Sequence, residues 1–151
     1  MLNIDVSGLR LLGCGCRCCA YQLDENLVVK TFRRYDLDFV KEVFRAHKIA
    51  EILGFGTPVH EIVTWQDGYG YIDTYVDMRG EDVVTYEEMN AFQRRINIET
   101  GIWLDDAHRK NLGYLNEKLV MFDFDIDAEE IIYHHGHLFD NSCVSGRQSV
   151  L

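Results

Sequence analysis

Short apolar runs separated by turn residues fill the first third of the chain, a pattern typical of β-strands. Residues 9–12 form one run, residues 16–23 a candidate second strand, and the β-branched residues 27–32 a third. Residues 13–15, a Gly-Cys-Gly turn, separate the first two runs, and the polar residues 24–26 separate the last two. The pattern predicts three strands joined by a glycine turn and a tight turn.

Apolar residues recur every three or four positions after Asp36, which indicates a helix. Asp36 is a suitable N-cap, the periodic positions continue to Leu53, and Gly54 is a natural stop. Two more strands are expected at residues 59–65 and 69–76. The first half therefore predicts a five-stranded, antiparallel sheet with one helix.

The second half predicts fewer elements. Thr85 caps a helix over residues 86–98, with Glu88 as its capping-box partner. A hairpin is expected over residues 112–122 and a short helix over residues 128–133, while the tail after them shows no assignable pattern. The fold class expected from this order is α+β.

The composition is that of a globular protein with one domain. Of the 151 residues 47% are hydrophobic and 26% charged, so the chain can bury a core. The 25 acidic residues outnumber the 15 Lys and Arg residues, and a net charge of −10 argues against nucleic acid as a partner. Because the sequence shows no signal peptide and no membrane-length apolar run, we expect a cytoplasmic protein without membrane contact.

Four of the five cysteines, Cys14, Cys16, Cys18 and Cys19, lie within six residues. They are too close for a conventional set of loop-closing disulfides, so we expect reduced, packed thiols. Two other interpretations stay open: a redox-sensitive loop, and a zinc site shared with residues of the tail, although the spacing fits no familiar zinc pattern. The tail ligands of such a site would be His134, His135, His137 and Cys143.

Two features of the predicted sheet suit phosphate binding. Gly13 and Gly15 would let backbone N–H groups approach a phosphate with no Cβ in the way. Lys30 lies in an apolar strand and must either reach water or find an anion. Each feature also has an ordinary structural interpretation, because glycine turns and edge-strand lysines are common.

The third feature is a set of oxygen-bearing side chains in the second half. Asn111 follows Asp106 by five residues, and Asp123 follows Asn111 by twelve. Twelve residues fit a strand, a turn and a returning strand, so Asn111 and Asp123 can converge at one end of a hairpin. Phosphoryl transfer needs oxygen ligands for a hard cation and a carboxylate that accepts a hydroxyl proton.

The three features together resemble the motifs of the protein-kinase-like superfamily. Residues 12–21 and 28–30 resemble its glycine-rich loop and its third-strand lysine. Residues 106–111, Asp-Ala-His-Arg-Lys-Asn, are similar to the D-x-H-x-x-N catalytic loop of aminoglycoside phosphotransferases and other small-molecule or atypical kinases. Residues 123–125, Asp-Phe-Asp, stand where the superfamily has D-F-G or a variant.

The resemblance implies one kinase-like domain over residues 1–151, with an N-lobe at 1–77 and a reduced helical C-lobe at 78–151 that carries the catalytic-loop hairpin. It implies ATP and Mg²⁺ as cofactors. Asp106 would be the catalytic base, with Lys30 and His108 as the other catalytic candidates. The metal ligands would be Asn111 and Asp123.

The resemblance also implies a nucleotide site around Lys30. Lys30 would bind the α- and β-phosphates and pair with an acid of the following helix, Glu42 in the first place and Glu51 in the second. Residues 73–76 would be the hinge that meets the adenine. The other nucleotide-binding candidates are Gly13, Gly15, Ala20, Val28, Asp73 and Tyr75.

The sequence departs from the superfamily pattern at several positions. Cys18 replaces the third loop glycine, Leu104 replaces the histidine before the catalytic loop, and Asp125 replaces the glycine of D-F-G. Asp105 and Asp125 add charge to the site, which favours a bound divalent metal or raised pKa values.

Two functions follow from these expectations. The Lys, Asp, Asn, Asp set indicates a minimal phosphotransferase that acts on a hydroxyl of a protein or a small molecule. Only 24 residues follow Asp127, where the superfamily has a large substrate lobe, so a partner protein could complete the C-lobe. The alternative is a pseudokinase-type binding module that regulates or inhibits a partner protein.

Overall fold

Apolar strands and one amphipathic helix build the first half of the chain around a six-stranded sheet. A computed structural model describes residues 1–140. The strands of this sheet are β1 (Asn3–Ile4), β2 (Arg10–Cys14), β3 (Cys19–Gln22), β4 (Leu27–Arg33), β5 (Val59–Trp65) and β6 (Gly68–Thr74). Their order is β1-β5-β6-β4-β3-β2, and β1 runs parallel to β5 while the other neighbours are antiparallel.

The prediction of five antiparallel strands is wrong in one respect: the sheet has a sixth strand, β1, which runs parallel to its neighbour β5. Asn3 pairs with Thr64 and Ile4 with Trp65, and the Thr64 N–H donates to the Leu2 carbonyl. Two residues are too few to show a period, so only the partner strand defines this element.

The predicted long helix is confirmed as α1 (Leu37–Ile52). The Asp36 side chain accepts a hydrogen bond from the Phe39 N–H at its start. One part of the buried face of α1, including Val40 and Phe44, packs on Tyr71 of β6.

Between residues 78 and 140 the chain forms three helices and a hairpin. These elements are α2 (Gly80–Val83), α3 (Tyr86–Thr100), β7 (Leu112–Leu115), β8 (Lys118–Met121) and α4 (Ala128–His135). Short 3₁₀ turns cover Arg109–Asn111 and Gly136–Leu138. The capping box of α3, with Thr85 and Glu88, is confirmed, and Gly101 ends the helix with φ +78°. The mixed α+β class is confirmed.

One continuous core joins the two halves. The other part of the buried face of α1, including Ile49, packs with Ile96 of α3, Phe124 and Ile131 of α4. The backbone continues this contact, because the Met121 N–H donates to Phe55 O and the Thr57 N–H donates to Met121 O. The end of β8 is therefore held against the segment between α1 and β5.

The expectation of reduced thiols is wrong for two cysteines. Cys14 and Cys19 form a disulfide across the β2–β3 hairpin, where the antiparallel register places them opposite each other with Cα atoms 4.0 Å apart. Proximity in sequence does not prevent a bond when a tight hairpin turns between the residues. Cys16 and Cys18 are free thiols, and Cys143 lies outside the described residues.

Among residues 1–140 no helix is both long and apolar enough to cross a membrane.

The disulfide predicts a definite peptide map. Trypsin cuts after Arg17, inside the loop that the bond closes, so peptides 11–17 and 18–30 should stay linked until reduction. Alkylation of the denatured protein before reduction should label Cys16 and Cys18 and leave Cys14 and Cys19 unlabelled, as mass spectrometry of the digest can show. Labels on all four of these cysteines, or a disulfide that includes Cys16, would contradict the pairing.

Close packing at Gly80 predicts a strong effect of one added methyl group. A Cβ on Gly80 would lie 1.7 Å from Arg109 O and 2.6 Å from Leu112 O, both backbone atoms. Gly80→Ala should therefore lower the free energy of unfolding by about 1–3 kcal/mol, as overpacking typically does. Gly8→Ala is the matched control in urea denaturation, because a Cβ on Gly8 has no atom within 4 Å in the described chain. Equal stability of the two variants would refute this packing.

Candidate active site

A cleft of about 300 Å³ opens between the β2–β3 hairpin and the loops around β7 and β8. Its floor contains Lys30, and its far wall contains Asp106, Asn111, Asp123 and Asp125. The lining residues are Leu12, Gly13, Cys14, Gly15, Cys16, Arg17, Cys18, Ala20, Lys30, Met78, Asp106, Lys110, Asn111, Phe122, Asp123, Asp125 and Ile126.

Lys30 supplies a buried positive charge to this cleft. Its side chain is 3% exposed, and its Nζ lies 3.3 Å from Asp73 Oδ2. The contact is an ion pair without hydrogen-bond alignment, so within residues 1–140 neither Nζ nor Asp73 Oδ2 has a hydrogen-bond partner. Burial alone would lower the pKa of Lys30, but the charges of Asp73 and Asp123 raise it above its usual value.

The predicted pairing of Lys30 with Glu42 is wrong. Glu42 is exposed on α1, and Glu51 instead contacts Lys48 at 3.1 Å and accepts a hydrogen bond from the Val59 N–H. The acid that reaches Lys30 comes from β6, the strand next to β4. Because Val28 pairs with Asp73 and Lys30 with Tyr71, Lys30 and Asp73 are diagonal neighbours on one sheet.

A buried hydrogen-bond chain supports Asp73. The Thr57 hydroxyl donates to Asp73 Oδ1 at 2.7 Å, so its oxygen accepts from His47 Nε2 at 2.8 Å. His47 then carries its proton on Nε2, and its Nδ1 accepts from the Tyr71 hydroxyl at 2.8 Å. Burial and the charge of Lys30 lower the pKa of His47 well below its usual value, which keeps the ring neutral.

Hydrogen bonds to the side chain of Asp127 hold the backbone at Asp105 and Asp106 in place. The two Asp127 oxygens accept hydrogen bonds from the Asp105 and Asp106 N–H groups at 2.7 and 3.0 Å. The Asn111 amide donates to the Asp106 carbonyl at 2.8 Å and to its Oδ2 at 2.9 Å. These bonds fix the direction of the Asp106 carboxylate.

Sequence reasoning missed Asp127 as a site-forming residue. It is only 2% exposed although it carries a charge, and its position before α4 indicated only a helix start. Asp127 follows Asp123 and Asp125 closely in the sequence, which could have marked it as part of the same site. Its partners, the Asp105 and Asp106 N–H groups, are more than twenty residues away in the sequence and can be identified only from the fold.

Three carboxylates converge on the wall that faces Lys30. One oxygen each of Asp106, Asp123 and Asp125 lies within 4.8 Å of the others. Burial, a hydrogen bond with Asp123 and the charge of Asp123 raise the pKa of Asp125 to about 7. Burial and the charge of Asp123 also raise the pKa of Asp106. Oxygen donors at this spacing fit a hard divalent cation, and Asn111 can add its amide oxygen.

The β2–β3 loop reaches across the cleft to this acidic wall. Arg17 Nη1 lies 3.6 Å from Asp125 Oδ2, and a Cβ on Gly15 would lie 3.8 Å from Asp123 Oδ2. Strand β2 includes Gly13, so the turn begins later than expected, and it is closed by a hydrogen bond from the Gly15 N–H to Cys18 O.

The fold brings seven of the predicted site residues into the cleft and leaves five out. Those that line it are Gly13, Gly15, Ala20, Lys30, Asp106, Asn111 and Asp123. Val28 is buried in the core, and Tyr75 donates its N–H to Asn26 O. His108 is largely exposed, with its Nε2 3.6 Å from Asp106 Oδ1. Glu42 is exposed on α1, and Asp73 lies within β6 as the partner of Lys30 instead of forming a hinge.

Comparison of the sequence with protein-family models and with curated proteins found no match.

The acidic wall predicts a response to divalent metal. Millimolar Mg²⁺ or Mn²⁺ should raise the melting temperature at pH 8, because the cation offsets repulsion among Asp106, Asp123 and Asp125. Because the pKa of Asp125 is raised in the folded state, protonation of Asp125 stabilises the fold. This stabilisation is complete below the unfolded pKa near 3.8 and is lost as the pH rises through about 7.

Asp125→Asn should therefore raise the metal-free melting temperature by a few degrees at pH 8 and shrink the metal response. Glu61→Gln, which changes an exposed acid of β5, is the control and should leave both values unchanged. Absence of a metal response in the unaltered protein would contradict the cation site.

Proposed function

We propose that this chain is a minimal ATP- and Mg²⁺-dependent phosphotransferase of the protein-kinase-like superfamily, which acts on a hydroxyl of a protein or a small molecule. The observation that carries the proposal is the position of Lys30. Its ammonium is buried with no hydrogen-bond partner among residues 1–140, and Lys30 lines the same cleft as Asp106, Asn111 and Asp123. An ammonium opposite a cation site is the arrangement that a metal-bound polyphosphate requires.

Lys30 and the loop glycines would hold the phosphates. A buried ammonium next to one carboxylate keeps donors for a second anion, and the low dielectric around it strengthens that interaction. Gly15 lies close to the acidic wall, where a side chain would narrow the space for a phosphate. Apolar side chains of the cleft, including Met78 and Phe122, offer a surface for the adenine.

Asp106 would orient the acceptor hydroxyl and take its proton. Its pKa is raised by burial and by the charge of Asp123, which makes the carboxylate a better proton acceptor. Asn111 and Asp127 fix its direction. The Mg²⁺, when bound by Asn111 and Asp123, would supply charge stabilisation for the transferred group.

The order of the elements also supports kinship with the superfamily. A hairpin with a glycine-containing turn precedes the lysine strand β4, α1 and two strands follow, and the β7–β8 hairpin separates Asn111 from Asp123. The Phe122 N–H donates to the Asn111 carbonyl at 3.1 Å, which brings the two proposed metal ligands to one end of the hairpin. We place the boundary between the two lobes after residue 77.

One contact favours the second candidate, a pseudokinase-type binding module. Arg17 lies against Asp125, where its guanidinium competes with a divalent cation for the carboxylate. A protein that keeps this contact would bind nucleotide weakly and act by docking on a partner.

A thermal-shift titration tests the proposed nucleotide site. ATP with Mg²⁺ should raise the melting temperature, because a ligand that binds only the folded state adds about 2.7 kcal/mol of stability at one hundred times its Kd. Lys30→Met should strongly reduce the shift at a given ATP concentration, and Lys41→Met on α1 should preserve it. No shift at millimolar ATP would overturn the proposal.

Turnover then separates the catalyst from the binding module. ATP hydrolysis or phosphate transfer should fall by about 10²-fold or more in Asp106→Asn, the size expected for loss of a general base. Nucleotide binding without turnover in the unaltered protein would favour the binding module.

A further inference from the structure

We propose that Asp73 of β6 is the positioning residue for Lys30, and that Thr57 and His47 hold Asp73 in place, so that the lysine is oriented by the sheet instead of by an acid of helix α1. This inference rests on the proposed function, because it assigns Lys30 to phosphate binding. It adds a residue set that the sequence motifs do not contain.

The first support is the geometry of the ion pair. Lys30 and Asp73 lie on the adjacent strands β4 and β6, which are paired over seven residues. Both side chains are at most 3% exposed, and the closest N to O distance is 3.3 Å. Because both strands belong to one hydrogen-bonded sheet, the distance between the two residues does not depend on the position of a helix.

The second support is that both hydrogen bonds to the Asp73 carboxylate go to the same oxygen, Oδ1. Oδ1 accepts from the Thr57 hydroxyl and from the Thr74 N–H, both at 2.7 Å. Oδ2 is left to face Lys30, and no group among residues 1–140 donates a hydrogen bond to it. Burial raises the pKa of Asp73, whereas the charge of Lys30 and the two donors on Oδ1 oppose this rise. The two donors also fix the rotation of the carboxylate, so Oδ2 stays directed at the ammonium.

The third support is the anchoring of Thr57 by helix α1. The Thr57 hydroxyl can donate to Asp73 only if it accepts from His47, and His47 takes this role because its other nitrogen accepts from Tyr71. His47 is fully buried on the inner face of α1. Helix α1 thus helps to position Lys30 through the neutral side chains of His47 and Thr57, which hold Asp73, and not through a charged side chain of its own.

The fourth support is the set of aromatic rings that confine the ammonium. Lys30 Nζ lies 5.7 Å from the centroid of Tyr71 and 5.6 Å from that of Phe122. Tyr71 is also the residue that donates to His47. Asp73 and the two rings confine the ammonium at the edge of the cleft that Lys30 lines, where an incoming phosphate would lie.

The test compares two carboxylate-to-amide changes in the full chain. Asp73→Asn should weaken binding of ATP with Mg²⁺ by roughly 10- to 100-fold, the range seen when groups that orient a ligand-binding residue are removed. Glu42→Gln, at the partner expected from the sequence, should leave the affinity unchanged. Adenosine, which lacks phosphates, should bind both variants and the unaltered protein equally, whereas general damage to the fold would weaken adenosine as well.

A double-mutant cycle shows whether Asp73 acts through Lys30. In a Lys30→Met background, Asp73→Asn should change the ATP affinity less than twofold, because the residue that it positions is gone. Additive losses would overturn the proposal. If Asp73→Asn does not fold, Thr57→Val and Thr57→Ser replace it: the valine should weaken ATP binding without weakening adenosine, and the serine, which keeps the hydroxyl, should restore it.

The outcomes separate this inference from the proposed function. If the unaltered protein binds no ATP, the proposed function fails. Urea denaturation of the same variants then tests the ion pair by itself: the free energies of unfolding should show coupling between Lys30→Met and Asp73→Asn, and none between Lys30→Met and Glu42→Gln. If the unaltered protein binds ATP and Asp73→Asn binds it equally well, the positioning role fails while the proposed function stands.

Discussion

The buried ion pair between Lys30 and Asp73 is the interaction on which the candidate site depends. An isolated ammonium inside a protein would lose its proton or force its strand toward water, because the desolvation of a charge costs several kcal/mol. The Asp73 carboxylate at 3.3 Å, itself held by Thr57 and the Thr74 N–H, and the charge of Asp123 keep the buried Lys30 charged. Since such a pair contributes little net stability, its presence at the floor of a cleft points to function.

The opposite wall of the cleft is shaped by backbone hydrogen bonds to buried polar side chains. Asp127 accepts from two consecutive N–H groups, and Asn111 caps the same loop from the other side. The Asp106 carboxylate is therefore held by Asn111, and its backbone by Asp127. The negative charges of Asp106, Asp123 and Asp125 repel one another, and burial together with the hydrogen bond and charge of Asp123 raises the pKa of Asp125 to about 7. A cluster of carboxylates opposite a buried ammonium suits the metal-bound polyphosphate that we propose as the ligand.

The hairpin over the cleft adds a covalent constraint to this arrangement. The Cys14–Cys19 bond closes the β2–β3 turn, and Arg17 at its tip contacts Asp125. The loop that approaches the acidic wall is therefore shorter and stiffer than two open strands would be. Burial raises the pKa of the nearby Cys18 thiol to about 12, the charge of Lys30 opposing this, so the thiolate, which is the reactive form, is scarce at neutral pH.

The sequence alone determined the local elements and the chemical groups. Cap residues and apolar periods located α1 and α3, because these signals act within a few residues. The Lys, Asp, Asn, Asp set was also visible, since a hairpin brings residues twelve apart together. Strand β1, the disulfide, the partner of Lys30 and the role of Asp127 were decided only by tertiary structure. Each of them depends on which strand lies beside which, or on a backbone amide about twenty residues away, and side-chain periodicity carries no information about such distant pairings.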